Sequence, residues 1–350
     1  MSTASSFVSR LRALLASILA VAYFFAARTV ASHSAAGFVS DNLSPLISQA
    51  MLVFLLIFGF AGFGIVFDRQ KQPISQQGLP AREGCRREAG LGLAVGWGLA
   101  ALCALTLALL GGIAIVLNTQ LAAWQWFLAD AAFFALAALA QEIAFRGYAF
   151  QSMVRAVGPL GASLGFALLY ALVAAVRPGS SHASFAVSVL FGLLLSLAYL
   201  RTRALWISWG INFGWHASRA LLFGLVVSGV SSHSSVVEGD AMGPFWLTGG
   251  GYGLDASWLA FVLFLLAIPL VYRLTRDLDF HHNAPTILPA GIPVDLDAAA
   301  RRQHEQAMGP EPAAAPAPLV QIASAAADAV PAPSLPAQSG PAASNPGRTS

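Results

Sequence analysis

Charge is scarce in this chain: Asp, Glu, Lys and Arg make up 10% of its 350 residues. A soluble domain carries about 25% charged residues because water must wet its surface, so the composition excludes a water-soluble globular protein. Cysteine is nearly absent as well. Cys85 falls between apolar runs and Cys103 in the middle of one, an arrangement that does not suit a disulfide. No internal repeat is visible, so the signature of a transporter built from duplicated halves is missing too. The net charge of +3 is spread over short segments. That distribution needs no nucleic-acid partner, because anionic headgroups attract basic residues beside a membrane.

What the chain does have is apolar length. It is 57% hydrophobic, with a mean hydropathy of +0.68. A helix needs about 20 apolar residues to cross roughly 30 Å of hydrocarbon at 1.5 Å per residue. Such runs fall at 11–27, 46–67, 91–117, 121–145, 159–176, 183–200, 204–228 and 256–273. They are continuous rather than alternating, and an unpaired backbone amide in lipid costs several kcal/mol, so they read as helices. The expected fold class is all-α: a polytopic transmembrane helical bundle of about eight helices, with a disordered C-terminal tail.

The basic residues orient the bundle, because cytoplasmic loops retain Lys and Arg. With the N-terminus inside, all 19 of them except Arg28, Arg177 and Arg219 lie on inside segments. Arg28 and Arg177 mark outside ends, and Arg219 lies within the seventh run. The loop at 229–255 holds Glu238, Asp240 and Asp255 but no Lys or Arg, as an exterior loop should. The chain is therefore expected to be a multi-pass protein of the cell (plasma) membrane with both termini cytoplasmic. A rival reading takes residues 1–32 as a secretory signal, on Arg10, Arg12, a short apolar run and the small residues that follow. After Asp279 the composition turns to Ala, Pro and Ser, which cannot bury enough surface to offset ordering entropy. Residues 285–350 read as the disordered tail, and His281, His282 and His304 as solvated side chains. The glycine-rich, aromatic stretch Trp246–Tyr252 reads as an interfacial turn capping the bundle.

Polar groups inside apolar runs are expensive and therefore informative. The fourth run carries Asp130, Gln141, Glu142 and Arg146, the fifth Tyr170, and the seventh Asn212, His216, Ser218 and Arg219. Glu142 and Arg146 are four apart, share a helix face and can pair. Asp130 reads as a packing or water-cavity residue. Asn212, His216 and Arg219 form one stripe that must face other helices or a cavity.

The stretch Gln141-Glu142-Ile143-Ala144-Phe145-Arg146-Gly147-Tyr148 resembles the Glu-Glu-x-x-Phe-Arg-Gly signature of the CPBP intramembrane proteases. These include type II CAAX prenyl endopeptidases and bacteriocin-processing, Abi-like relatives. The family's Phe-x-x-x-His and His-x-x-x-Asn motifs correspond to Phe166–Tyr170 and Asn212–His216, and Ala198–Trp206 and Val227–Gly229 are similar in context. The resemblance divides the chain into N-terminal transmembrane helices with a basic loop (1–119), a CPBP-like domain (120–275) and an Ala/Pro-rich cytoplasmic tail (276–350). It implies hydrolysis of a membrane-anchored or prenylated peptide near the cytoplasmic face. The first glutamate and first histidine would activate water, and the second histidine and asparagine would complete the site.

At those four positions this chain has Gln141, Tyr170, Asn212 and His216. An amide is no general base, and a phenol is a poor base and a poor zinc ligand. The last pair is exchanged, which moves the imidazole by one helical turn. The candidate catalytic residues are thus Gln141, Glu142, Arg146, Tyr170, Asn212 and His216. With His33, His182 and His233 at outer ends or loops, a zinc site cannot be assembled, and no cofactor is expected. Expected partners are membrane lipids and a membrane-anchored or lipidated peptide. Three functions stay open: an intramembrane endopeptidase with altered residues, a non-catalytic pseudoprotease binding membrane peptides or lipids, and a small-molecule transporter.

Overall fold

The structure, a computed structural model, describes residues 3–110 and 112–278. The chain divides into two units, Met1–Pro285 and Thr286–Ser350, and every described residue belongs to the first. The expected tail and its three histidines lie outside the described residues.

The first unit is a helical bundle. Its helices are α1 (Thr3–Phe38), α2 (Ser44–Asp68), the short α3 (Pro73–Gln76), α4 (Cys85–Leu109), α5 (Leu121–Arg146), α6 (Tyr148–Ala175), α7 (His182–Thr202), α8 (Trp206–Ala217), the short α9 (Phe245–Thr248) and α10 (Trp258–Leu274). Five described segments are long and apolar enough to cross a membrane: Phe7–Phe38, Ser44–Asp68, Cys85–Leu109, Leu121–Ala175 and His182–Thr202. The fourth of these contains two helices, α5 and α6, separated at Gly147. Large apolar side chains such as Phe58, Leu128, Leu172 and Leu266 are exposed around the bundle. Water would penalise that surface and lipid does not. The chain is an integral membrane protein.

The ends of the runs differ from the sequence expectation. The third run was expected to reach 117, but α4 stops at Leu109 and Ile113–Leu117 form a strand, β1. Ile113, Ile115 and Val116 are β-branched residues that suit a strand, and β1 pairs antiparallel with β2 (Val237–Ala241), Ile113 opposite Ala241 and Leu117 opposite Val237. Hydropathy counts such a strand as a continuation of the helix. The seventh run also ends early: α8 passes at Ser218 into a π-helical turn, Ser218–Leu222, and left-handed backbone at Gly224, Ser228 and Gly229 carries the chain away. The first helix is longer than its run and continues through His33.

Local sequence explains the breaks. Ser181 caps α7 reciprocally with Ser184, satisfying amides that the first turn leaves free. In α6, Gly158 adopts φ 86° and is followed by Pro159, which has no amide proton to donate, so the helix bends there. Two packed cores result. Phe60, Ile143, Tyr148 and Phe150 belong to the first, joining α1, α2, α5 and α6, and Phe191, Leu194, Trp215 and Phe264 to the second, joining α4, α7, α8 and α10. Tyr170 packs against both. Helices α4 and α8 meet through Gly92 and Gly96 on one side and Gly210 and Gly214 on the other. From sequence, Gly210 and Gly214 could loosen the seventh run; in the fold they let two backbones approach closely. The Trp246–Tyr252 stretch forms α9 and a 3-10 turn leading towards α10.

Candidate functional site

Five of the six candidate residues form one network where α5, α6 and α8 meet. The Asn212 amide Nδ2 donates to Gln141 Oε1 at 3.1 Å and to Glu142 Oε1 at 2.8 Å. The Tyr170 hydroxyl donates to the same Gln141 oxygen at 3.4 Å. Arg146 completes the expected pair, its Nη1 lying 3.2 Å from Glu142 Oε1, and its Nη2 donates to the Gly192 carbonyl at 3.0 Å. Glu142 and Arg146 are fully buried, so the i, i+4 pair neutralises two charges that lipid could not solvate.

His216, one turn further along α8, belongs to a different network. Its Nδ1 lies 2.8 Å from Arg219 Nη2. A guanidinium only donates, so Nδ1 is the acceptor and the ring proton sits on Nε2. That Nε2 is buried and has no partner among the described residues. Arg219 also donates from Nε to the Trp215 carbonyl at 3.1 Å and pairs with Asp255 at 2.9 Å. The Trp215 indole at 3.0 Å and the Ser228 hydroxyl at 2.7 Å complete the Asp255 carboxylate's contacts. Burial pushes the Asp255 pKa up, and Arg219 more than reverses this, leaving the carboxyl below the usual carboxylate range.

A cavity of about 490 Å³ connects the two networks. Its deep end is lined by Gln141 and Phe145 of α5, Tyr170, Phe191, His216 and Asp255. From there it follows α5 back to Asp130 and is closed by Phe24 and Arg28 of α1, Leu52 of α2, Arg177 and the segment 227–233. Asp130 to Phe145 is about 22 Å of helix. Arg28, Pro178 and Val230 are exposed, so that end reaches the protein surface. Gln141, Tyr170 and His216 therefore share one wall, whereas Glu142, Arg146 and Asn212 are not among the lining residues and brace Gln141 from behind. Asp130 accepts from the Ser234 amide at 2.8 Å and contacts His233 Nδ1 at 3.1 Å.

Asp255, Arg177 and His233 were not singled out from sequence. For Asp255 a signal existed: Arg219 inside an apolar run requires a counter-charge, and the neighbouring loop held three acids. For the other two no signal distinguished a loop residue from a cavity wall.

Zinc takes thiolate, imidazole and carboxylate ligands. The deep end offers an amide, a phenol, one imidazole whose Nδ1 already faces a guanidinium, and the Asp255 carboxylate, which is paired with that same guanidinium. Among the described residues no group of three or more His, Cys, Asp or Glu could hold a metal ion. The residues present do not fit a zinc ion.

The chain's residues 120–218, which run from the start of α5 to the end of α8, match the family model described as Type II CAAX prenyl endopeptidase Rce1-like. Over this stretch the chain is similar to the CPBP intramembrane proteases named above. No curated protein and no solved structure matches it. The matched segment contains all six candidate residues and stops one residue before Arg219. The Arg219–Asp255 pair that sets the His216 tautomer, and Arg28 at the far end of the cavity, therefore lie beyond the CPBP match.

Proposed function

We propose that this chain is a non-catalytic CPBP protein that binds a membrane peptide or lipid in the cavity beside Gln141, Tyr170 and His216. The observation that carries the reading is the direction of the hydrogen bonds. Gln141 Oε1 is occupied by Asn212 and Tyr170, so the amide has N–H groups to offer the cavity. His216 Nδ1 is occupied by Arg219, so the imidazole offers an N–H as well. A general base needs a free lone pair at a suitable pKa. Glu142 shares its Oε1 with Arg146 and Asn212, and its Oε2, buried and without a partner among the described residues, does not line the cavity; Asp255 is held by Arg219, Trp215 and Ser228. The wall thus suits a ligand oxygen better than it suits activation of water.

On this reading the functional unit extends to about 275, because Asp255 and α10 complete the site. The protein resides in the cell membrane with both termini cytoplasmic, and no metal takes part.

The test compares the unmodified protein with a variant carrying Gln141→Glu, Tyr170→His, Asn212→His and His216→Asn. Both are given prenylated and membrane-anchored peptides, and the products are read by mass spectrometry. General acid–base groups contribute about 10²–10⁴-fold, so any cleavage by the variant should exceed that of the unmodified protein by at least about a hundredfold. Cleavage by the unmodified protein at the variant's rate, lost in His216→Ala, would establish an altered endopeptidase instead.

A further inference from the structure

The cavity is apolar along most of its length, yet two guanidinium groups stand at its surface end. Arg28 projects from α1, and Arg177 follows directly on the end of α6; both line the cavity. Both carry a positive charge, and like charges lining one cavity repel each other. The other arginines around the site are committed, Arg146 to Glu142 and Arg219 to Asp255. Among the described residues neither the Arg28 nor the Arg177 side chain has a hydrogen-bond or ion-pair partner. The acid at this end, Asp130, already accepts from the Ser234 amide and contacts His233. Two like charges at the mouth of one cavity, without a counter-ion among the described residues, favour an anion that joins them.

We propose that the cavity takes a single-chain amphiphile whose anionic head, a carboxylate or a phosphate, is held by Arg28 and Arg177 while its chain lies along α5. This names the ligand class for the binding function above and rests on it. The chain would pass Phe24, Leu52, Phe133, Phe134 and Ala138, all of which line the cavity. Asp130 to Gln141 is about 16 Å of helix, the depth available to an apolar tail. A volume of about 490 Å³ falls within the range of roughly 300–1,000 Å³ typical of single small ligands. Arginine suits either head, because its planar fork pairs bidentately with carboxylate and phosphate alike.

The experiment uses the full chain in detergent and measures binding of palmitate and hexadecyl phosphate, with hexadecanol and inorganic phosphate as controls. Both anionic amphiphiles should bind at least about tenfold more tightly than either control, the difference expected of one charge-assisted contact. The tighter of the two identifies the head. Arg28→Gln and Arg177→Gln should each weaken binding about tenfold, and Ala138→Trp, which fills the cavity and leaves both arginines, should weaken it as much. Equal binding of hexadecanol, or anion binding untouched by Ala138→Trp, would overturn the proposal and leave the arginines in contact with bulk headgroups only. Tighter binding of an amidated prenyl peptide, insensitive to both arginine variants, would also overturn it. Peptide cleavage by the unmodified protein would instead count against the non-catalytic reading, so the two failures are separate.

Discussion

Replacing Arg219 with methionine is expected to destabilise the protein by about 3–5 kcal/mol, the cost of stranding one member of a buried ion pair. Arg219 is fully buried and Asp255 nearly so. Without the guanidinium, the carboxylate keeps only the Trp215 indole and the Ser228 hydroxyl, and His216 Nδ1 loses its donor. The Arg219 guanidinium also lies 4.2 Å from the Trp215 ring centroid, so the methionine loses that contact as well. Thermal unfolding in detergent reads the effect. The double variant Arg219→Met with Asp255→Asn should recover a large part of the loss, because no uncompensated charge remains. Arg219→Lys should fall between, since one ammonium cannot serve the Trp215 carbonyl, His216 and Asp255 in a single fixed fork. If Arg219→Met is no less stable than the double variant, the pair is not what holds α8 to the segment before α10.

How far the sequence reached follows from which forces act locally. Long apolar helices are set by hydropathy over some twenty consecutive residues, and these fell close to the runs. The ion pair of Glu142 and Arg146 is a neighbour effect on one helix face, and it too was readable. So was the inward direction of Asn212, His216 and Arg219, because lipid cannot solvate them. Pairings across distant segments were not. β1 and β2 are separated by more than a hundred residues, and nothing in Ile113–Leu117 alone distinguishes a strand from the end of a helix. Asp255 read only as one of three exterior-loop acids: Arg219 required a counter-charge, but with its partner 36 residues away nothing local said which acid supplies it. The cavity is a property of how α1, α2, α5, α6 and α7 fail to close around Tyr170, and no single segment encodes it.

The placement of Asn212 and His216 on α8 has a structural consequence. One turn of α8 separates two partner sets: Asn212 meets Gln141 and Glu142 of α5, while His216 meets Arg219 and, through it, Asp255. An amide at 212 can bridge a glutamine and a glutamate at once. At 216, the imidazole is held as a donor by a cation from outside the segment that matches the family model. Gln141, Tyr170 and Asn212 thus hold one another through the Gln141 oxygen, while His216 is held separately by Arg219, and the deep end of the cavity keeps its polarity.

The position of α8 against α4 decides whether those contacts can form, and Gly96→Leu is expected to break it. A Cβ at Gly96 would meet the Ile211 carbonyl and come 2.7 Å from the Trp215 amide, both backbone atoms that no rotamer change can move aside. At Gly214 a Cβ would lie 2.7 Å from the Leu93 carbonyl and 3.0 Å from the Trp97 amide. Overpacking a well-filled interior costs about 1–3 kcal/mol, and more where the backbone itself must shift, so either leucine variant should lose roughly 3 kcal/mol or more. Gly98 lies on the same helix as Gly96, but nothing stands within 4 Å of a Cβ there. Gly98→Ala should leave stability unchanged or raise it by up to about 1 kcal/mol, since alanine is the better helix former. The comparison separates close packing from a general intolerance of α4 to substitution. Equal losses at Gly96 and Gly98 would show that α4 and α8 are not held by glycine contact. A loss confined to Gly96 and Gly214 would tie the geometry of Asn212 and His216 to the four glycines beneath them.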